Sequence, residues 1–183
     1  MSLQPIHCTE VLSKYGNYGL VPSDVLCAAQ DRGKAVHKIC SSIALGLPIF
    51  VEPDETIAGY VKSFTQWYKT AVDEVVLAET ELVSQRWKVI CTPDLIVRLR
   101  SDPALAIVDL KTPVSESRLW RAQLAMYMCC ALELGFDVRR YLAVRLDRDG
   151  KFPKVTEYTT YKRDLLAYLH ALAAHRYFVV EED

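Results

Sequence analysis

The stretch Ala106-Ile107-Val108-Asp109-Leu110-Lys111-Thr112-Pro113 limits the fold more than any other. Ala106, Ile107 and Val108 form a short apolar run of the kind that lines a buried strand. Alternate residues of a strand share a face, so Asp109 and Lys111 point the same way where the run ends. A chain folded around this segment must bring a carboxylate and an ammonium to the mouth of its core. Alone, such a pair is commonly a surface ion pair worth under about 1 kcal/mol. It gains meaning from what the rest of the chain sets beside it.

The other elements follow from periodicity and punctuation. Pro22-Ser23-Asp24 reads as a helix start. Val25, Leu26, Ala29, Val36, Ile39, Cys40 and Ile43 then recur at helical spacing until Gly46 and Pro48. Pro53 opens a second helix that runs to Ala71. Residues 75–84 and 87–100 are β-rich, with a short polar turn between them, and read as a hairpin. A turn at Ser101-Asp102-Pro103 precedes a third strand over 104–110. Residues 115–134 are helical, with Gly135 as C-cap. A fourth strand covers 139–146, a fifth 153–160, and a last helix 162–177. Residues 1–20, with Gly16 and Gly19, read as irregular. This order predicts an α/β protein with a mixed sheet flanked by helices. Its 183 residues suit a single domain over 1–183. The core is expected over about 24–160, and a C-terminal helix and tail over 161–183.

Composition narrows the function classes. At 51% hydrophobic and 25% charged residues, the chain is not of the disordered kind. A formal net charge of −1 gives no whole-molecule attraction to nucleic acid, so any such surface must be local. The six cysteines, at 8, 27, 40, 91, 129 and 130, contain no C-x-x-C pair. Their scatter fits neither a zinc site nor a disulfide framework. They are expected to be reduced, mostly core thiols in a cytoplasmic protein. No apolar run reaches membrane-spanning length, and no leader pattern opens the chain.

Other residues give the charged strand end its context. Asp94 opens an apolar run fifteen residues before Asp109, room for a strand, a turn and a return strand. The two carboxylates can therefore converge. Carboxylates brought together repel unless a cation neutralises them, and oxygen ligands suit a hard ion such as Mg²⁺ or Mn²⁺. Lys111 beside them can orient a water and offset charge growing on a phosphate. Gly33 and His37 are four apart on the first helix, hence on one face. A helix-interior glycine costs about 1 kcal/mol against alanine and permits close approach. His37 offers an imidazole to a metal, or is simply structural. Gln123 and Tyr127 are four apart on the helix after the charged strand, with Arg118 and Arg121 nearby. They are suited to hold a nucleic-acid backbone, to brace the lysine, or to form a half-buried polar seam.

Taken in order, Gly33-x-x-x-His37, Asp94, Asp109-Leu110-Lys111 and Gln123-x-x-x-Tyr127 resemble the PD-(D/E)xK nuclease superfamily. They look most like its RecB-type exonucleases, including phage and prophage members. The similarity runs from about residue 24 to 147. It implies a restriction-endonuclease-like core and metal-dependent hydrolysis of DNA in recombination or repair. It further implies that Asp94 and Asp109 bind one or two divalent ions, usually Mg²⁺, with the Leu110 carbonyl and His37 as further ligands. Lys111 would then position or activate the attacking water, and Gln123 and Tyr127 would support the site and the DNA strand. An additional acid on the preceding strand is expected at Glu79, with Glu81 on the same strand face as its rival. The family also suggests a single-strand annealing protein as partner, and a homo-oligomer. Two departures stand out. Cys91 occupies a position that is often glycine, and the cysteines lack the arrangement that holds an iron–sulfur cluster in several relatives, so no cluster is expected. A structure-specific endonuclease, or a non-catalytic DNA-binding module on the same fold, are the alternative readings.

Basic residues are concentrated late in the chain. Arg139, Arg140, Arg145, Arg148, Lys151 and Lys154 face only Asp147 and Asp149 between residues 138 and 154. With Arg118, Arg121, Lys162 and Arg163 they are expected to form a basic rim that holds phosphates without sequence preference. Trp87 and Trp120 are candidates for stacking on bases, or for packing.

Overall fold

The computed structural model describes residues 4–16, 21–50 and 52–179. The N-terminal segment forms β1 (Ile6–His7) and α1 (Cys8–Ser13), followed by two long helices, α2 (Ser23–Ala44) and α3 (Glu55–Ala71). Asp54 caps α3 by accepting from the Thr56 amide at 2.8 Å, the arrangement that satisfies an otherwise orphaned first-turn donor. The chain then enters its strands: β2 (Val72–Ala78), β3 (Leu82–Ser84), β4 (Val89–Cys91), β5 (Leu95–Leu99) and β6 (Asp102–Lys111). Next comes α4 (Arg118–Glu133), capped by the Ser117 hydroxyl. Then follow β7 (Val138–Arg145), β8 (Lys154–Glu157) and α5 (Tyr161–Phe178).

A five-stranded sheet of order β2-β5-β6-β7-β8 forms the centre. Its β6–β7 pair is parallel and the other pairs are antiparallel, so the sheet is mixed, as the order of elements predicts. The pleat divides β6 between two cores. Ala106, Val108 and Leu110 pack with residues of α2 and α3. Ile107 packs with residues of α1, α4 and α5. Asp109 and Lys111 continue the Ile107 series and therefore face α4.

The expected hairpin is present but broken in the middle. Its base, β2 with β5, belongs to the five-stranded sheet, while its tip, β3 with β4, joins β1 in a separate three-stranded sheet. The runs 75–84 and 87–100 are thus two strands each. The break falls at Glu79, whose φ is +47°, and opposite it at Thr92-Pro93-Asp94. Proline cannot donate to a strand ladder and marks such interruptions.

Two further expectations are corrected. The first twenty residues are not wholly irregular: β1 pairs in parallel with β4 through Ile6↔Val89 and His7↔Ile90, elements too short for periodicity to register. Gly19 lies outside the described residues, as does the end of the expected tail. The fifth strand is confined to Lys154–Glu157. Among the described residues, no helix is long and apolar enough to cross a membrane. All six cysteines are free, four of them buried.

Candidate active site

Strand register assembles the acids. Leu95 faces Val108 across β5–β6, so the next register position pairs Asp94 with Asp109. Ala78 faces Leu95 across β2–β5, and the Glu79 amide donates to the Asp94 carbonyl at 3.1 Å. Glu79, Asp94 and Asp109 are therefore consecutive places in one row across three strands. The row lies where the hairpin divides, at the end of the central sheet.

The helix layers close on this row from both sides. His37, on α2, donates from Nδ1 to Asp94 Oδ1 at 2.8 Å. The Leu110 amide donates to the other Asp94 oxygen. On the α4 side, Lys111 pairs with Asp109, and its Nζ donates to Gln123 Oε1 at 3.1 Å. Gln123 Nε2 in turn donates to Asp109 Oδ1 at 3.3 Å and to the Tyr127 hydroxyl at 2.7 Å. Asp94 and Asp109 are 6% and 3% exposed.

Ligand atoms of His37, Glu79 and Asp94 all lie within 4.8 Å of one another. Of the two rival acids, Glu79 enters this trio. Glu79 and Glu81 do not share a strand face, because both fall in the break between β2 and β3. Asp109 adjoins the trio but is engaged by Lys111 and Gln123. Leu110 touches Asp94 through its amide. Gly33 stands close to Thr112, with room for ordinary contact at 3.6 Å if a Cβ were added, so packing alone does not require glycine there.

The electrostatics are those of crowded carboxylates. Burial opposes charge on His37, but the Asp94 carboxylate outweighs it and holds the imidazole up at about 9. Burial also works against Asp94, yet His37 and the Leu110 amide keep it below the ordinary carboxylate range. Asp109 is pushed up by burial and by Asp94, with Lys111 opposing. Partial desolvation and the charge of Asp94 lift Glu79 to about 7. One imidazole and two carboxylates, with a third carboxylate adjacent, fit a hard divalent ion in donor type and in the repulsion that such an ion relieves.

The ion-free protein should show this in its stability. His37, raised from 6.5 to about 9, contributes stability that is complete below pH 6.5 and lost as pH rises through about 9. Glu79, raised from 4.5 to about 7, contributes in the same sense at lower pH. Asp94, being lowered, acts oppositely, losing its contribution only on acidification. The urea midpoint in chelator should therefore fall between about pH 5 and about pH 9. The substitution His37→Gln should flatten the upper part of that fall.

The remaining candidates separate. Arg118 is exposed and has no ion pair among the described residues. Arg121 is partly exposed but engaged by internal partners: Nε lies 3.0 Å from Asp164 Oδ1, and the guanidinium rests on the Tyr158 ring. Asp164 is buried and also accepts from the Tyr141 hydroxyl at 2.9 Å. Gln123 and Tyr127 are buried and brace the lysine rather than line a surface. Part of the expected basic rim is paired within the protein, while Lys154, Lys162 and Arg163 are exposed and have no ion pair among the described residues. Arg139 pairs with Asp137, Arg140 with Glu157, and Arg148 and Lys151 with Asp149. Arg145 donates to the Val114 carbonyl at 2.7 Å. Trp87 is half-buried beneath the Arg86 guanidinium. Trp120 is buried, with the Lys111 ammonium 5.6 Å from its ring centroid. That contact escaped the sequence reading, although Trp120 lies three residues before Gln123 and so shares its helix face.

No protein-family model matches the chain, and no curated protein matches its sequence.

Proposed function

We propose that the chain is a Mg²⁺- or Mn²⁺-dependent hydrolase of DNA phosphodiester bonds, acting as an exonuclease. The observation that supports this reading most is the meeting of His37, Glu79 and Asp94 beside an Asp109–Lys111 pair, drawn from elements far apart in sequence. His37, Glu79 and Asp94 would hold the ion, with Asp109 next to it. A bound hard cation polarises a phosphoryl oxygen and offsets its charge. Asp94 keeps His37 oriented and Leu110 fixed. Lys111, held by Asp109 and Gln123, presents an N–H to the attacking water and to charge developing on the phosphate. Arg118, exposed at the start of α4, would hold a neighbouring phosphate.

The test is purified protein with Mg²⁺ or Mn²⁺ on linear, closed circular and single-stranded DNA. Linear DNA should be degraded from its ends while closed circles survive. Nicked circles would indicate an endonuclease instead, and retention of DNA without products a binding module. Lys111→Ala should lower the rate of the folded variant by about a hundredfold, and it should lower the melting temperature as well, because it leaves the buried Asp109 carboxylate without its partner. Wild-type activity in that variant would remove Lys111 from the mechanism.

A further inference from the structure

We propose that Trp120 is a positioning residue for Lys111, setting where the ammonium sits when the site turns over; this rests on the hydrolytic reading above. Lysine is a flexible stem with a compact, strongly hydrated charge, and nothing in its chemistry fixes a direction. At Lys111 three neighbours do so. Asp109 pairs with the ammonium, Gln123 Oε1 accepts from it at 3.1 Å, and the Trp120 ring centroid lies 5.6 Å away. An ammonium has three N–H donors. The two polar partners take two, which leaves one for the reacting groups.

The Lys111 side chain is only 13% exposed, and Trp120 itself is 8% exposed. Trp120, Gln123 and Tyr127 occupy i, i+3 and i+7 on α4, one stripe of the helix. The same rigid element thus supplies both the ring beside the cation and the amide that accepts from it. An aromatic ring within about 6 Å attracts a cation, and the Trp120 ring lies inside that range of the ammonium. Trp120 acts through Lys111 and not on substrate.

Trp120→Leu and Trp120→Met both remove the ring, methionine with an unbranched, more adaptable side chain of similar volume, and Trp120→Phe retains a smaller ring. The leucine and methionine variants should lose about tenfold in kcat with KM and Mn²⁺ affinity unchanged, while phenylalanine should stay within about threefold of wild type. Lys111 should be acylated by an amine-reactive succinimidyl ester several-fold faster in the leucine and methionine variants, read by mass mapping of the Lys111 peptide. Circular dichroism identifies the variants that fold, and the methionine and phenylalanine variants decide the matter if leucine does not. Unchanged kcat in a folded ring-less variant, or Lys111 acylation at the wild-type rate, would overturn the proposal. If the wild-type protein cleaves no DNA, the hydrolytic reading fails, and the acylation comparison still decides whether Trp120 governs Lys111.

Discussion

Asp94→Asn is expected to lower metal-dependent cleavage on the order of 10⁴-fold, the largest effect of any single change in the site. Asp94 is where its parts join: it accepts from His37 and from the Leu110 amide, and it stands between Glu79 and Asp109 in the strand row. Asparagine keeps the shape and an acceptor oxygen but removes the charge. The cation then loses an anionic ligand, and His37 loses the partner that raises it. Burial alone lowers the imidazole, so its titration midpoint, followed by NMR, should move from about 9 back toward the ordinary histidine value. The two readouts test different statements. Wild-type cleavage would refute the assignment of the site, and an unmoved His37 midpoint would refute the pairing itself.

The largest loss of stability is expected from Gly59→Ala. Gly59 lies on α3 where the connection between β7 and β8 crosses it. A Cβ there would stand 1.7 Å from the Arg148 carbonyl oxygen and 3.2 Å from the Gly150 nitrogen. Both are backbone atoms, so no rotamer change relieves the overlap. The connection is also fastened. Asp147 Oδ1 accepts from the Asp149 and Lys151 amides, the Asp147 amide donates to Ser63 Oγ, and Gln66 donates to the Gly150 carbonyl. Making room would break several of these bonds. Overpacking of this kind costs about 3 kcal/mol, against which the better helix propensity of alanine restores about 1. For a chain of this size that net loss is a fall of roughly 6 °C in Tm. Thermal unfolding of the variant at or above the wild-type temperature would show that the crossing is looser than described.

Much of this architecture is legible in the sequence, for identifiable reasons. The long helices and β6 carry strong periodic or continuous apolar patterns, and their ends are punctuated by Pro22, Gly46 and Pro113. The convergence of Asp94 and Asp109 follows from counting along a hairpin. What stays hidden is where partners come from distant parts of the chain. Arg121 reads as a free cation until Asp164, on another helix, is seen beside it. Arg140 likewise meets Glu157 only across β7–β8. The division of the hairpin between two sheets is not readable from alternation, because only the short tip strands bury alternate residues while β5 is buried at four of its five positions. Pro93 is the one local sign of it. Gln123 and Tyr127 show their polarity in the sequence, yet only burial decides that they serve the lysine.

The helix α4 carries a consequence of its own. Near its start, Trp120 and Gln123 meet Lys111. At its last residue, Glu133 accepts from Ser84, Gln85 and Arg86 at the hairpin tip. Ten residues of helix, about 15 Å, span the two grips. The amine and the strand pair from whose root two of the acids rise are therefore indexed to one rod. Any displacement of this rod would change the spacing of amine and acids in a single movement.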